Sequence, residues 1–114
     1  MNKIHIMVLS LLLLAAPALA STGFFTGVDD LPLMPGMTEK RDETVVFDNP
    51  SGRIVETAAT SDAPQSQILN FYAQSLPPLG WQRMSSSSYS RADEILTIQI
   101  ATDGAVHFSI SPKG

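Results

Sequence analysis

Apolar and polar residues alternate most strictly near the end of the chain. Leu96, Ile98 and Ile100 take every second position of one run, and Val106, Phe108 and Ile110 every second position of the next. A period of two is that of strands with one buried face. A two-residue Asp103-Gly104 turn between these runs would set Phe108 opposite Gln99 and His107 opposite Ile100, mixing the faces. A three-residue loop, Thr102-Asp103-Gly104 with Gly104 left-handed, instead pairs Ile100 with Val106, Ile98 with Phe108 and Leu96 with Ile110. The pattern predicts this second register.

Residues 43–48 (ETVVFD) and 53–58 are also rich in β-branched and apolar side chains, separated by Asn49-Pro50-Ser51-Gly52. Asn first, Pro second and Gly fourth suit a type I turn, so these runs predict a hairpin. The period then changes to that of a helix. Ile68, Leu69, Tyr72, Ala73 and Leu76 share one face, Gln67, Asn70 and Gln74 lie opposite, and Phe71 is on the flank. Asp62 with Gln65 reads as a capping box, Pro64 falls in the first turn, and Pro77-Pro78 ends the helix. Residues 81–84 and 89–91 are short strand candidates, joined by a serine run that reads as a mobile loop. The expected fold is α+β and two-layered: a β-hairpin, then one α-helix packed on an antiparallel β-meander, forming a single domain over residues 43–114.

Two segments precede that domain. Residues 1–20 have a basic start at Lys3, an apolar run from Ile6 to Leu14 and the small-residue ending Ala18-Leu19-Ala20, the three parts of a cleaved secretory signal peptide. Seventeen residues from Ile4 to Ala20, interrupted by His5, Ser10 and Pro17, fall short of the roughly 20 apolar residues of a spanning helix. A periplasmic or secreted location follows, with no stable membrane insertion after cleavage. Residues 21–42 are rich in Pro, Gly and Met and read as an extended segment, because Pro32 and Pro35 disfavour both a helix and a central strand. Leu31, Leu33, Met34 and Met37 make it apolar enough to dock, on this domain's own core or on another protein.

Leu33-Met34-Pro35-Gly36 before the first strand, Phe71-Tyr72 and Leu76 on the helix, and Gly80-Trp81 at the next strand are together similar to small exported bacterial α+β domains of uncharacterised function that share an FYxxxL…GW signature. The resemblance implies export and an α+β fold. It implies no reaction, and its residues read as architectural: Tyr72 and Leu76 face the sheet, Gly80 permits a tight exit and Trp81 plugs the layer.

Charge and composition narrow the chemistry. The formal charge is −4, and loss of Lys3 with the leader makes it one unit more negative. The one adjacent basic pair, Lys40-Arg41, is flanked by Glu39, Asp42 and Glu43, so neither nucleic acid nor anionic lipid is an expected partner. There is no cysteine, and therefore no disulfide to reinforce a small exported domain. Beyond the leader His107 is the one histidine, on the polar face of its strand. A single histidine without a spaced second ligand starts no zinc site. The acidic pairs lack the spacing of a calcium loop, and no phosphate loop or dinucleotide fingerprint occurs. No catalytic residue, metal or cofactor is assigned.

The leading expectation is a non-enzymatic interaction module of the cell envelope, contacting another envelope protein through Leu31, Leu33, Met34 and Met37, a sheet edge or the helix flank. The alternative is a small-ligand-binding protein or weak hydrolase with a cleft near Trp81, Arg83, Arg91 and His107. A third reading is a structural protein that self-associates by strand addition at an exposed edge.

Overall fold

The computed structural model describes residues 23–113; the expected signal peptide, residues 1–20, lies outside them. The chain is α+β, with one α-helix among the described residues, packed on an antiparallel sheet. In order come β1 (Gly23–Phe25), β2 (Val28–Leu33), β3 (Thr38–Glu39), a 3-10 turn at Arg41–Glu43, β4 (Val45–Asn49) and β5 (Gly52–Thr60). The helix α1 (Gln65–Ser75) and a 3-10 turn at Pro77–Leu79 lead to β6 (Gln82–Ser85), β7 (Ser88–Arg91), β8 (Glu94–Ile100) and β9 (Ala105–Pro112). β1 and β2 form a two-stranded sheet. The other seven strands form one sheet in the order β3-β5-β9-β8-β7-β6, with β4 pairing β5 beside β3.

The predicted β8–β9 register is the one observed, with Ile100 opposite Val106, Ile98 opposite Phe108 and Leu96 opposite Ile110. Gly104 sits at φ +91°, the left-handed position of the loop. The β4–β5 hairpin also forms, and Asn49 Oδ1 accepts from the Ser51 amide at 2.9 Å, the local bond that favours Asn at the start of a turn. On α1, Ile68 and Tyr72 are buried, as is Leu76 directly after it, while Gln67, Asn70 and Gln74 are exposed. Helix, hairpin β1–β2 and sheet share one core. Phe108 of β9 meets the Phe25 ring of β1 at 5.0 Å and the Tyr72 ring of α1 at 5.2 Å, both edge-on.

Two local expectations are corrected. Pro64, not Asp62, is the N-cap of α1, and no side-chain cap bond forms there; Ser61 Oγ instead accepts from the Ala63 amide. The serine run is a tight turn rather than a loop, since Ser85 and Ser88 pair across β6 and β7 and their hydroxyls lie 2.8 Å apart. The stretch containing Pro32 is extended and is not a central strand, as its prolines predict. Pro32 is accommodated in β2 opposite Phe24 of the three-residue β1, outside the main sheet. Its carbonyl accepts a 2.8 Å bond from the Tyr72 hydroxyl, so this part of the backbone is tied to the helix.

Candidate functional site

The four residues expected to line a cleft do not meet in one. Trp81 is buried in the core at 1% exposure, and the Arg91 guanidinium covers its ring at 4.2 Å from the centroid. Arg83 is exposed on β6 and donates to the carbonyl of Ser85. His107 faces the opposite side of the sheet, because it alternates with the core residues Val106 and Phe108. Trp81 and Arg91 are therefore together; Arg83 follows on the same face opposite Tyr89 but turns outward to Ser85, and His107 is on the other face.

Arg91 belongs instead to a ring of charges. On the core side of the sheet, the row Arg53, Pro112, Glu94, Arg91 lies one step beyond the apolar row Val55, Ile110, Leu96, Tyr89. Asp30 of β2 descends onto this row. Arg53 donates to Asp30 at 2.7 Å and to both oxygens of Glu94, at 2.7 and 3.2 Å, while Arg91 bonds the same Asp30 oxygen and the Leu79 carbonyl. Burial pushes the Asp30 carboxyl up, but its hydrogen bonds and charge contacts with the two arginines outweigh this and hold it below the usual carboxylate range. Glu94 chiefly holds Arg53 charged, well above the ordinary guanidinium value. Two cations and two anions neutralise one another, so the ring latches the β1–β2 hairpin to the sheet and presents no uncompensated charge to a ligand.

The face of the sheet away from α1 carries a shallow concavity of about 450 Å³, lined by Glu43, Glu56, Thr97, Gln99, His107 and Ser109 among others. It is polar and open. Among the described residues no group of three His, Cys, Asp or Glu side chains is placed to hold a metal ion. Among the described residues no side chain is hydrogen-bonded to His107 to orient it as a base, and Ser109, two residues along its strand, is not bonded to it.

Of the two surfaces on which the apolar residues of the N-terminal segment were expected to dock, the one they occupy is the chain's own core. Leu31, Met34 and Met37 are inside the chain's own core and Leu33 packs against it. The reason is local: Pro35 and Gly36 at φ +89° form a tight turn, closed by a 3.0 Å bond from the Met37 amide to the Met34 carbonyl, which returns both methionines to the interior. Making Leu33 and Met34 polar would therefore test folding, not docking.

Phe24 and Met84 are exposed singly, and the contiguous exposed apolar run among the described residues lies on β4. Val45, Val46 and Phe47 are 51, 50 and 49% exposed, and every residue of this strand is exposed. β4 pairs on one side, with β5, and on no other side among the described residues. The other edges of the seven-stranded sheet are blunted: β3 has two residues, and β6, which exposes Met84, carries Arg83 and a bulge between Arg83 and Ser85. The sequence reading took ETVVFD as a hairpin strand and did not single it out as a surface. Three consecutive apolar residues, which leave neither face polar, were the available signal. Compared with protein-family models, curated proteins and solved structures, the chain matches none.

Proposed function

We propose that this protein is a non-enzymatic interaction module, exported to act in the cell envelope, and that it binds by strand addition at β4. The observation that carries the reading is the half-exposure of Val45, Val46 and Phe47 on an edge strand whose outer side is unpaired among the described residues. Such an edge offers backbone donors and acceptors along its length and apolar side chains on both faces. The leader read from residues 1–20 supports export. No helix among the described residues is long and apolar enough to cross a membrane.

The experiment is site-specific photo-crosslinking in the cell at native expression level, with the probe at Phe47 and, as a control, at the exposed Gln74 of α1. A protein adduct from position 47 and none from position 74 is the expected result. No adduct from position 47, or equal labelling from both, overturns the reading. Fractionation of the same cells tests export, which requires a processed chain in the periplasm or medium.

A further inference from the structure

We infer that the occupant of the β4 edge is a second copy of this chain, paired antiparallel about Val46. This rests on the strand-addition reading above and names its partner. The support comes from which backbone groups face outward and from what each register would place together.

The β4–β5 hairpin closes on Asn49 opposite Gly52 across a two-residue loop, which makes that pair hydrogen-bonded. Alternation then turns Phe47 and Val45 toward β5 and leaves the backbone groups of Asp48, Val46 and Thr44 facing outward. The Thr44 amide is already used by the Arg41 carbonyl at 3.1 Å, so the free outward groups are the Thr44 carbonyl and both groups of Val46 and Asp48. With the two-fold axis on Val46, each Val46 bonds its counterpart reciprocally, and each Asp48 amide reaches the partner's Thr44 carbonyl. All the free amides of the edge then find acceptors.

Side chains select the same register. About Val46, Val46 meets Val46, Val45 meets Phe47, Thr44 meets Asp48 and Glu43 meets Asn49, so apolar residues face only apolar ones and no like charges oppose. A shift of one residue either way sets Val46 opposite Val45 or Phe47, whose backbone groups already face β5, so no ladder forms. Larger shifts place Glu43 opposite Phe47 or Asp48 opposite Val46. An axis through Val46 also puts the helix layers of both copies on one side of a continuous sheet, because the pair has even register and preserves the faces.

The absence of native cysteine makes a thiol probe clean. In this register Val46 lies about 5.5 Å, Cα to Cα, from its counterpart, and Val45 about 4.5 Å from Phe47 of the other copy, both within disulfide range. Purified wild-type protein is expected to sediment as a concentration-dependent dimer. Val46→Cys should oxidise to a covalent dimer, while Val45→Cys and Phe47→Cys alone should not; mixed together, those two should crosslink to each other. Val46→Lys, which sets two ammonium groups face to face at an exposed position, should weaken dimerisation at least tenfold while leaving the circular dichroism unchanged. A monomer at the highest attainable concentration overturns the second copy as occupant. So does a dimer whose Val46→Cys form fails to crosslink. Either result leaves strand addition to be judged by the Phe47 adduct: an adduct of mass other than twice the chain retains that reading and rejects this one, and no adduct rejects both.

Discussion

The Arg91 guanidinium lies over the Trp81 ring, 4.2 Å from its centroid, and closes the core at the end of the sheet where β6 and β7 meet. The same side chain reaches Asp30 on β2 and the Leu79 carbonyl after α1, so one residue joins three parts of the chain. A stacked, partly desolvated cation–π contact contributes about 0.5–2 kcal/mol, and loss of its charged hydrogen bonds adds to that. Arg91→Ala should cost about 2–3 kcal/mol in urea unfolding and shift Trp81 emission to longer wavelength as water reaches the ring. Arg91→Lys should recover only part of this, because an ammonium cannot lie flat on the ring and fork to two acceptors. Unchanged stability and emission in Arg91→Ala would show that the contact has no role.

Acid should loosen the latch between the β1–β2 hairpin and the sheet. Asp30 is held below its ordinary value of 3.8 in the fold, despite the opposing effect of burial, by Arg53 and Arg91. A carboxyl with a depressed folded pKa contributes stability that is present above its unfolded pKa and lost as pH falls through the folded one. Stability should therefore decline as pH drops below about 4, more steeply in the wild type than in Asp30→Asn. At neutral pH the substitution should cost about 1–2 kcal/mol, between the values for exposed and buried pairs. Parallel stability curves from pH 7 downward for the two proteins would exclude Asp30 as the titrating group.

These cross-chain relationships were the part least legible in the sequence. The β8–β9 register was readable because alternation on both strands and a glycine at one loop position admitted a single solution. The helix was readable because Ile68, Tyr72 and Leu76 recur at its period and Pro77 stops it. Nothing local, however, couples Asp30 to Arg53, Arg91 and Glu94, which are brought together by strand order. β4 is similar: its composition is that of a strand, but whether a strand is central or at an edge depends on the pairing of the whole sheet. Pro32 was legible in its own way: a proline is excluded from central strands, and β2 is extended but not central.

The reversal between the N-terminal segment and β4 is directly measurable. Leu31 is fully buried, so Leu31→Ala should destabilise by about 2–5 kcal/mol, the range for removing a large aliphatic side chain from a packed core. Phe47 is larger but half-exposed, and Phe47→Ala should cost the isolated chain about 1 kcal/mol or less. Denaturant titrations at low protein concentration, where association does not contribute, make the comparison. Equal losses at both positions would mean that Phe47 is a core residue and β4 is not a free surface.

Tyr72 tests the attachment of the same segment to the helix. Its hydroxyl is buried and donates to the Pro32 carbonyl at 2.8 Å, and burial raises its pKa well above the ordinary phenol value. Tyr72→Phe keeps the ring between Phe71 and Phe108 and removes only that donor. The buried carbonyl loses this partner, so the expected cost is about 1–2 kcal/mol, with faster hydrogen exchange concentrated in β2. A neutral substitution would place the hold on β2 in apolar packing alone.

Two loop positions should respond to substitution with opposite sign. Gly104 stands at φ +91°, and a Cβ there would lie 2.9 Å from the Ser61 carbonyl oxygen, whose own amide bonds the Gly104 carbonyl at 3.0 Å. Backbone faces backbone, so neither side yields easily, and Gly104→Ala should cost about 2–3 kcal/mol from the dihedral and the clash together. Ala92, in the two-residue turn between Arg91 and Glu94, is the one non-glycine residue at positive φ among those described, at +50°. A left-handed alanine costs about 1–2 kcal/mol, whereas glycine there gives back about 0.4–1 kcal/mol through the freedom of the unfolded chain. Ala92→Gly should therefore stabilise by about 0.5–1 kcal/mol and leave the ion pairs of Arg91 and Glu94 in place. A loss of stability in Ala92→Gly would mean that this turn is relaxed with alanine, and that the geometry of the charge ring is set by the strands on either side of it.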